Sequence, residues 1–440
     1  MNYLEAKTFI EYTNTFGIRP GLDIVKELLS RLDNPQDKLN VIHIAGTNGK
    51  GSICAYLEYG LRECELKIAR YISPTLFSYL ERFQINGKYI SEEKFSEITY
   101  RVKCICDEMV SDGLYHPTSF EIETAIAFLW FLDEEVDIVL LETGMGGKED
   151  ATNVVAMPLA TVFATISFDH MQFLGNTIED IAKVKSGIMR EGVPVIASKM
   201  PEVTKDGITN SAKETLINEA NKIGAPIYFA EDLDSIDIEN PLQGVFQQIN
   251  LTTALLTFDI IGGKIQEINS NKPIKKEVFI SGIKKAKWPG RYETIATNPI
   301  IIRDGAHNED AVKSLCETIQ KDKRINGKVH LIMGCYKDKD YVNELKIILP
   351  LAKSFSAVTA PNPLRAYNAK DLYETAVTTA KEIGLCIPAT YKDNIKQAVE
   401  DIVSDCEYDG SSIVIFGSLS LAGETEIIRQ SGELIKCRTS

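Results

Sequence analysis

The sequence predicts an α/β protein in two parts: a larger N-terminal domain with a mostly parallel sheet, and a smaller, Rossmann-like C-terminal α/β domain. Three observations predict it. Short apolar runs alternate with amphipathic ones along nearly all of the 440 residues, the pattern of a parallel sheet covered by helices. That length exceeds what one ordinary core supports. A glycine-rich turn separates the first such strand from the first such helix, in Val41-Ile42-His43-Ile44-Ala45-Gly46-Thr47-Asn48-Gly49-Lys50-Gly51-Ser52.

In the N-terminal part the strand-like runs are Val41–Ile44, Ile68–Ile72, Val136–Leu141, Ala160–Ile166, Val193–Ala197 and Pro226–Phe229. Near-continuous apolar strands suit a sheet buried on both faces. Amphipathic stretches lie between them: Ile53–Leu66, Glu92–Val110, Glu121–Leu132, Ile178–Met189 and Ser211–Ile223. The acidic stretch Asp232–Asn240 reads as a solvated connection. A second series begins after Asn298-Pro299, with strands at Ile300–Ile302, Val329–Met333, Ser356–Thr359 and Ile413–Phe416. Helix-like Ala311–Gln320, Tyr341–Leu349, Ala369–Ile383 and Ile395–Ser404 separate them. The boundary is placed at 297, giving domains 1–297 and 298–440.

Composition narrows the function. Hydrophobic content of 44% and charged content of 25% are those of a soluble globular protein. A net charge of −14 argues against a nucleic-acid partner, which wants a basic face. No apolar run reaches the length of a membrane span, and the N-terminus lacks a signal pattern. Nine scattered cysteines read as reduced thiols, so a cytoplasmic protein is expected.

The turn after Val41–Ile44 carries the first chemistry. Strand, glycine-rich loop and helix start form the geometry that binds phosphate, through backbone N–H groups and the positive end of the helix dipole. Lys50 adds a charge, and Ser52 offers an oxygen to Mg²⁺. The motif departs from the standard Walker A, in which four residues separate the first glycine from Gly-Lys; here two do, and Gly51 precedes Ser52. The expectation is a P-loop-type ATPase domain.

Other polar residues follow strand ends, where open α/β sheets bind ligands. Glu142 ends an apolar run and precedes Thr143-Gly144-Met145-Gly146-Gly147, a good place for a carboxylate to meet a nucleotide-bound metal. Asp169-His170 repeats the layout, although imidazole is an unusual partner for a hard cation. Ser73 offers an oxygen after Ile68–Ile72. In the second domain Asp304 could accept from a ribose, and His307 could reach a phosphate or sugar. Arg291, in Trp288-Pro289-Gly290-Arg291, has the fork that holds phosphate in two-point contact.

Taken in order, these segments resemble the folylpolyglutamate synthase and dihydrofolate synthase family, within the ATP-dependent amide ligases that include the Mur ligases. The resemblance spans nearly the whole chain. It rests on Gly46 to Ser52, Ser73-Pro74, Glu81-Arg82 with Ile85-Asn86-Gly87, Thr118-Ser119-Phe120-Glu121, and Leu141 to Gly147 leading to Asp150-Ala151-Thr152-Asn153. It continues through Asp169-His170, Leu174-Gly175, Lys185-Ser186-Gly187-Ile188, Gln247 and Asn250, Pro289-Gly290-Arg291, Asp304 to Asn308, Asp338-Lys339-Asp340 and Gly417-Ser418-Leu419.

The resemblance implies roles. Thr47, Asn48, Gly49, Lys50, Gly51 and Ser52 would cradle ATP phosphates, with Asn250, Arg291, Asp304 and His307 also contacting ATP. Ser73, Glu142 and His170 match metal ligands for Mg²⁺, two ions in all. Lys185 matches a lysine that the family carbamylates. Thr118, Ser119, Phe120, Glu121, Asp150 and Ala151 match the walls of a pterin pocket. Lys50, Lys185 and His170 are the expected catalytic residues. Departures are Thr75 for a histidine, Lys148-Glu149 for Arg-Leu before Asp150, Val184 for a glutamate, and Glu309-Asp310 for Pro-His. They bear on pterin affinity and on the balance of two activities.

The implied reaction is ATP-dependent addition of L-glutamate to dihydropteroate, to reduced folates, or to both, through an acyl phosphate, at a site between the domains of a monomer. Two alternatives stay open. One is a Mur-type amino-acid ligase acting on a nucleotide-sugar precursor. The other is a non-catalytic ATP-binding regulatory protein.

Overall fold

The structure is a computed structural model describing residues 1–17, 21–201, 211–232, 238–268, 273–362 and 365–426. Part of the acidic 232–240 stretch therefore lies outside the described residues. The chain forms two compact units: residues 1–74, 79–241 and 248–287, and residues 75–78, 242–247 and 288 onward.

The first unit holds an eight-stranded sheet. Its strands are β1 (Val41–Ala45), β2 (Ile68–Tyr71), β3 (Phe83–Ile85), β4 (Lys88–Tyr89), β5 (Ile138–Glu142), β6 (Ala160–Phe163), β7 (Val195–Ala197) and β8 (Ile227–Phe229). The spatial order is β4-β3-β2-β5-β1-β6-β7-β8. β2, β5, β1, β6, β7 and β8 run parallel, and β3 and β4 add an antiparallel edge. β1 is flanked by β5 on one side and β6 on the other, so the chain reverses its direction of winding around it, the place where such sheets bind ligands.

Val41, Ala69, Tyr71, Val139 and Leu141 share one core with Phe95, Ile122 and Phe128 from the helices Glu92–Ser111 and Ser119–Asp133. The helix Lys50–Glu63 packs against β1, β2 and β5 and against the helix Lys276–Ile283. Phe279 fills the space left by Gly60, where a Cβ would lie 2.3 Å from its ring.

The second unit has six strands: β9 (Glu293–Thr297), β10 (Ile300–Arg303), β11 (Val329–Met333), β12 (Ala352–Val358), β13 (Ala389–Lys392) and β14 (Ile413–Phe416), in the order β13-β12-β11-β14-β10-β9. Only β9 is antiparallel. Alternate residues serve two cores. Ile302, Leu331, Met333, Val414 and Phe416 belong to one, and Ile301, Ile332, Ile413 and Ile415 to the other. That is the period-two burial of a sheet covered on both faces.

The α/β architecture expected from the sequence is the one observed. The continuous C-terminal stretch of the second unit starts at Trp288, ahead of the boundary expected at 297, because β9 pairs with β10; residues 75–78 and 242–247 also belong to that unit. Among the described residues no helix is long and apolar enough to cross a membrane.

Candidate active site

The loop leaving β1 is stitched to the segment leaving β6. The Thr47 amide donates to the Thr165 carbonyl at 2.8 Å, and the Thr165 hydroxyl donates to the Asn48 carbonyl at 2.9 Å. The Thr47 hydroxyl donates to the Ser167 carbonyl at 3.1 Å. Two positions require glycine. Gly46, at φ +141°, has Ala164 against it, and a Cβ would sit 2.6 Å from the alanine methyl. Gly49, at φ +103°, would bring a Cβ within 2.2 Å of the Asn250 side-chain oxygen. Gly49 also caps the helix Lys50–Glu63 and brings no capping side chain of its own, and an anion suits that end.

Two lysines converge on this loop. Lys50 donates to the carbonyls of Gly46 at 3.2 Å and Thr47 at 3.3 Å. Lys185, from the last turn of the helix Ile178–Ser186, donates to the same Gly46 carbonyl at 2.9 Å. Lys185 is only 4% exposed. Burial, then the neighbouring Lys50 charge, push its pKa down to about 7, with Asp169 and Asp150 opposing. Glu142, last residue of β5, sets a carboxylate oxygen 3.7 Å from the Lys50 ammonium.

Ser73 follows β2, Glu142 ends β5, Gly46–Lys50 follow β1, and His170 follows β6, so all four segments leave the carboxyl ends of adjacent parallel strands. Ser52 is buried near the helix start. His170 is a left-handed residue (φ +50°), with its imidazole 3.6 Å from the Asp169 carboxylate. Among the described residues no three or more His, Cys, Asp or Glu side chains form a metal cage. One buried carboxylate beside hydroxyls and a phosphate cradle fits Mg²⁺, which keeps waters and binds through few protein oxygens plus phosphate.

The segments matched to pterin walls also carry local structure. Thr118 caps the helix Ser119–Asp133 in a capping box: its amide and hydroxyl both donate to Glu121 at 2.7 Å. Phe120 stacks on Tyr71, centroids 5.9 Å apart, and occupies the space beside Gly144, where a Cβ would lie 2.5 Å from its ring. Ser119 is half-buried and Ala151 buried. Buried Asp150 accepts from the Met145 amide at 2.8 Å and from the Thr152 amide and hydroxyl at 3.0 and 2.5 Å. Thr152 thus accepts from the His43 ring at 2.8 Å; burial first, then Arg190, push that imidazole's pKa down to about 3.

A strap missing from the sequence reading joins this loop to Lys185. Asn153 donates to the carbonyls of Lys148 and Gly187, both at 3.0 Å. Arg190 donates to the Asn153 side-chain oxygen at 2.8 Å and to the carbonyls of Gly187 and Val155 at 3.2 Å. A Cβ on Gly147 would lie 2.5 Å from the Lys185 carbonyl oxygen, so loop and helix touch through backbone. The Asp-Ala-Thr-Asn run was visible in the sequence; its bracing partner Arg190 carries no motif.

In the second unit Arg291 lies against Gly305, where a Cβ would fall 2.2 Å from a guanidinium nitrogen. Asp304, after β10, is 4% exposed and accepts from the amides of Tyr292 at 2.7 Å and Ala306 at 2.8 Å. His307 donates through Nδ1 to the Gly305 carbonyl at 2.7 Å, which leaves Nε2 unprotonated in the neutral ring. The sites thus divide: residues 47–52, 73, 118–121, 142, 150–151, 170, 185 and 250 lie in the first unit, and Arg291, Asp304 and His307 in the second.

Residues 44–258 match the Mur ligase middle domain, and residues 290–419 the Mur ligase glutamate ligase domain. The chain is 34% identical over 403 residues to the dihydrofolate synthase/folylpolyglutamate synthase of Bacillus subtilis, covering 86% of this chain and 90% of that protein. It is 29% identical over 437 residues to the folylpolyglutamate synthase of Lacticaseibacillus casei, covering 96% and 97%. A solved bifunctional folylpolyglutamate synthase/dihydrofolate synthase with Mn, AMPPNP and L-glutamate bound superposes with a TM-score of 0.80 at 25% identity over 98% of each chain. The Mycobacterium tuberculosis folylpolyglutamate synthase complexed with ADP and AMPPCP shares the fold, with a TM-score of 0.83 at 24% identity over 97% of this chain and 98% of that one. With both of its units matched in order, the chain belongs to the dihydrofolate synthase/folylpolyglutamate synthase family of the Mur ligases.

Proposed function

We propose that this ATP-dependent ligase adds L-glutamate both to dihydropteroate and to reduced folates. The observation that carries the reading is the gathering of Lys50, Lys185 and Glu142 at Gly46, beside a helix start with no side-chain cap. The Bacillus subtilis relative, which bears both activity names, supports the bifunctional form.

The chemistry follows from the weakness of a carboxylate as an acyl donor. A carboxylate oxygen of the pterin substrate attacks the γ-phosphorus of ATP, the bond to the β–γ bridging oxygen breaks, and ADP leaves. The glutamate amine, having lost a proton, attacks the acyl carbon of the resulting acyl phosphate. The carbon–oxygen bond to phosphate breaks and phosphate departs with the electron pair. Neither step needs a protein nucleophile. Lys50 and the first-turn amides would hold the phosphates, and Arg291, Asp304, His307 and Asn250 would complete the nucleotide contacts. Positioning and charge stabilisation then carry the rate. Glu142, with Ser73 and His170, would hold Mg²⁺, which would supply charge neutralisation to the reaction.

Lys185 has the properties of a carbamylation site. A buried amine with a pKa of about 7 is substantially neutral at physiological pH, and the neutral amine is the form that adds CO₂. Carbamylation would replace that largely neutral amine with an anion beside the Lys50 ammonium, adding an attraction that the bare amine lacks.

The test supplies protein, ATP, Mg²⁺ and L-glutamate with dihydropteroate or with tetrahydrofolate, and follows phosphate release and product mass. Turnover with both acceptors is expected. Turnover with only one removes the bifunctional reading, and turnover with neither defeats the folate assignment. Phosphate release dependent on acceptor and glutamate separates a ligase from a protein that only binds ATP.

A further inference from the structure

We infer that Tyr292 is a positioning residue that fixes the side chain of Arg291. The inference rests on the reading that Arg291 engages nucleotide phosphate.

Tyr292 sits at φ +45°, a left-handed backbone conformation that costs a bulky aromatic residue free energy. Such strain persists only where the surroundings over-determine it, and here they do. The Tyr292 amide donates to Asp304 at 2.7 Å. Its hydroxyl donates to Asp322 at 3.0 Å, and its ring is 1% exposed. Asp322 is itself gripped by Arg324, at 2.6 Å from NH2 and 2.9 Å from Nε, and Arg324 also reaches Thr294 and Gln243. On the other side of Arg291, Gly290 is left-handed as well, at φ +73°. Its amide donates to Glu293 at 2.8 Å and its carbonyl accepts from Gly305 at 2.9 Å.

Arg291 is therefore the middle residue of a turn pinned on both sides. Its guanidinium occupies the ground that a side chain at Gly305 would take. A long, flexible side chain has much rotamer freedom to lose on binding phosphate. The pinned turn fixes the root of that side chain and, through the bond from Gly305 to Gly290, the surface its guanidinium lies against, which narrows its options before binding and gives the strained tyrosine a function.

The experiment is a double-mutant cycle read by ATP affinity, using calorimetry on the full-length protein. Tyr292→Asn keeps a residue that tolerates the left-handed region but deletes the buried anchor. It should weaken ATP binding about tenfold in the wild-type background and less than about twofold alongside Arg291→Ala, because the two act as one unit. The KM for glutamate should not move. Equal weakening in both backgrounds, or none in the wild-type background, overturns the inference. If Tyr292→Asn does not fold, Tyr292→Phe, which loses only the bond to Asp322, carries the same test with an expected loss of about threefold. If Arg291→Ala binds ATP like the wild type, the reading of Arg291 falls, and the role of Tyr292 falls with it.

Discussion

Lys50 and Lys185 donate to one and the same carbonyl oxygen, that of Gly46, from opposite sides of the chain's fold order. Two amines that share an acceptor cannot both carry charge cheaply in a buried place. The lysine with less access to water, Lys185, yields.

The stability of the protein should record that yielding. The native amine of Lys185 titrates near 7, against 10.5 when unfolded. Between those values the unfolded chain holds the proton and the native one does not, so wild-type stability rises with pH across the window. Below it both states hold the proton and the contribution is constant. Relative to the wild type, Lys185→Met should melt higher by on the order of a few degrees at pH 6, and the gap should shrink toward pH 10. Melting curves in CO₂-free buffer check this, and a gap independent of pH would contradict it.

Lys50→Ala removes the charge nearest the expected phosphates. Turnover should fall about 10²- to 10³-fold, as for loss of one preorganised electrostatic donor. Phosphate release at saturating ATP is the measurement. A near-normal rate would remove Lys50 from the reaction.

Glu142→Gln keeps the shape of a buried side chain and deletes its charge. The Mg²⁺ concentration for half-maximal activity should rise at least about tenfold, since an anionic oxygen is worth far more to a hard cation than an amide oxygen. A Mg²⁺ titration superimposable on the wild type would place Glu142 outside the metal's reach.

Gly147→Ala would set a methyl 2.5 Å from the Lys185 carbonyl oxygen. Backbone must move to admit it, and Lys185 moves with its helix. Overpacking of this kind costs about 1–3 kcal/mol, and turnover should fall roughly tenfold. ATP affinity should change less than turnover, because the added methyl meets the backbone of Val184 and Lys185 and reaches the P-loop through the hydrogen bond from Lys185 to Gly46. Comparison of kcat with nucleotide affinity separates the two.

Thr118→Ala should cost about 1 kcal/mol of stability through loss of the helix cap, read as a lower Tm. Its amide, still donating to Glu121, keeps half of the capping box. An unchanged Tm would show that the cap contributes nothing.

The legible part of this molecule was its buried periodicity. β1, β2, β5 and β14 are mostly apolar and buried along their whole length, and the centres of both sheets follow from them. The edge strands β4, β9 and β13 escaped because their residues are largely open to water: β13, Ala-Thr-Tyr-Lys, is partly exposed along its length and has no apolar run to detect. The hairpin of β3 and β4 did leave a signal. Asn86-Gly87, with φ of +49° and +73°, is the tight-turn dipeptide that joins antiparallel strands, although strands of three and two residues are too short to show a period. The phosphate loop was visible because glycines and a lysine must stand close together in sequence to make it. The sharing of Gly46 by two lysines 135 positions apart was not, because only the sheet brings them together.

The strap of Asn153 and Arg190 sets a limit on how this enzyme can be remodelled. Residues 148–155 and 184–190 are tied by the Arg190 guanidinium, the Asn153 amide and the backbone bond from Lys148 to Val184, so they answer to displacement as one piece. Lys148 is held through both of its backbone groups, by Val184 and Asn153, so inserting residues at 148 or closer to Asn153 would tug on the far helix. A grafted loop would have to keep an asparagine at position 153 to meet Arg190.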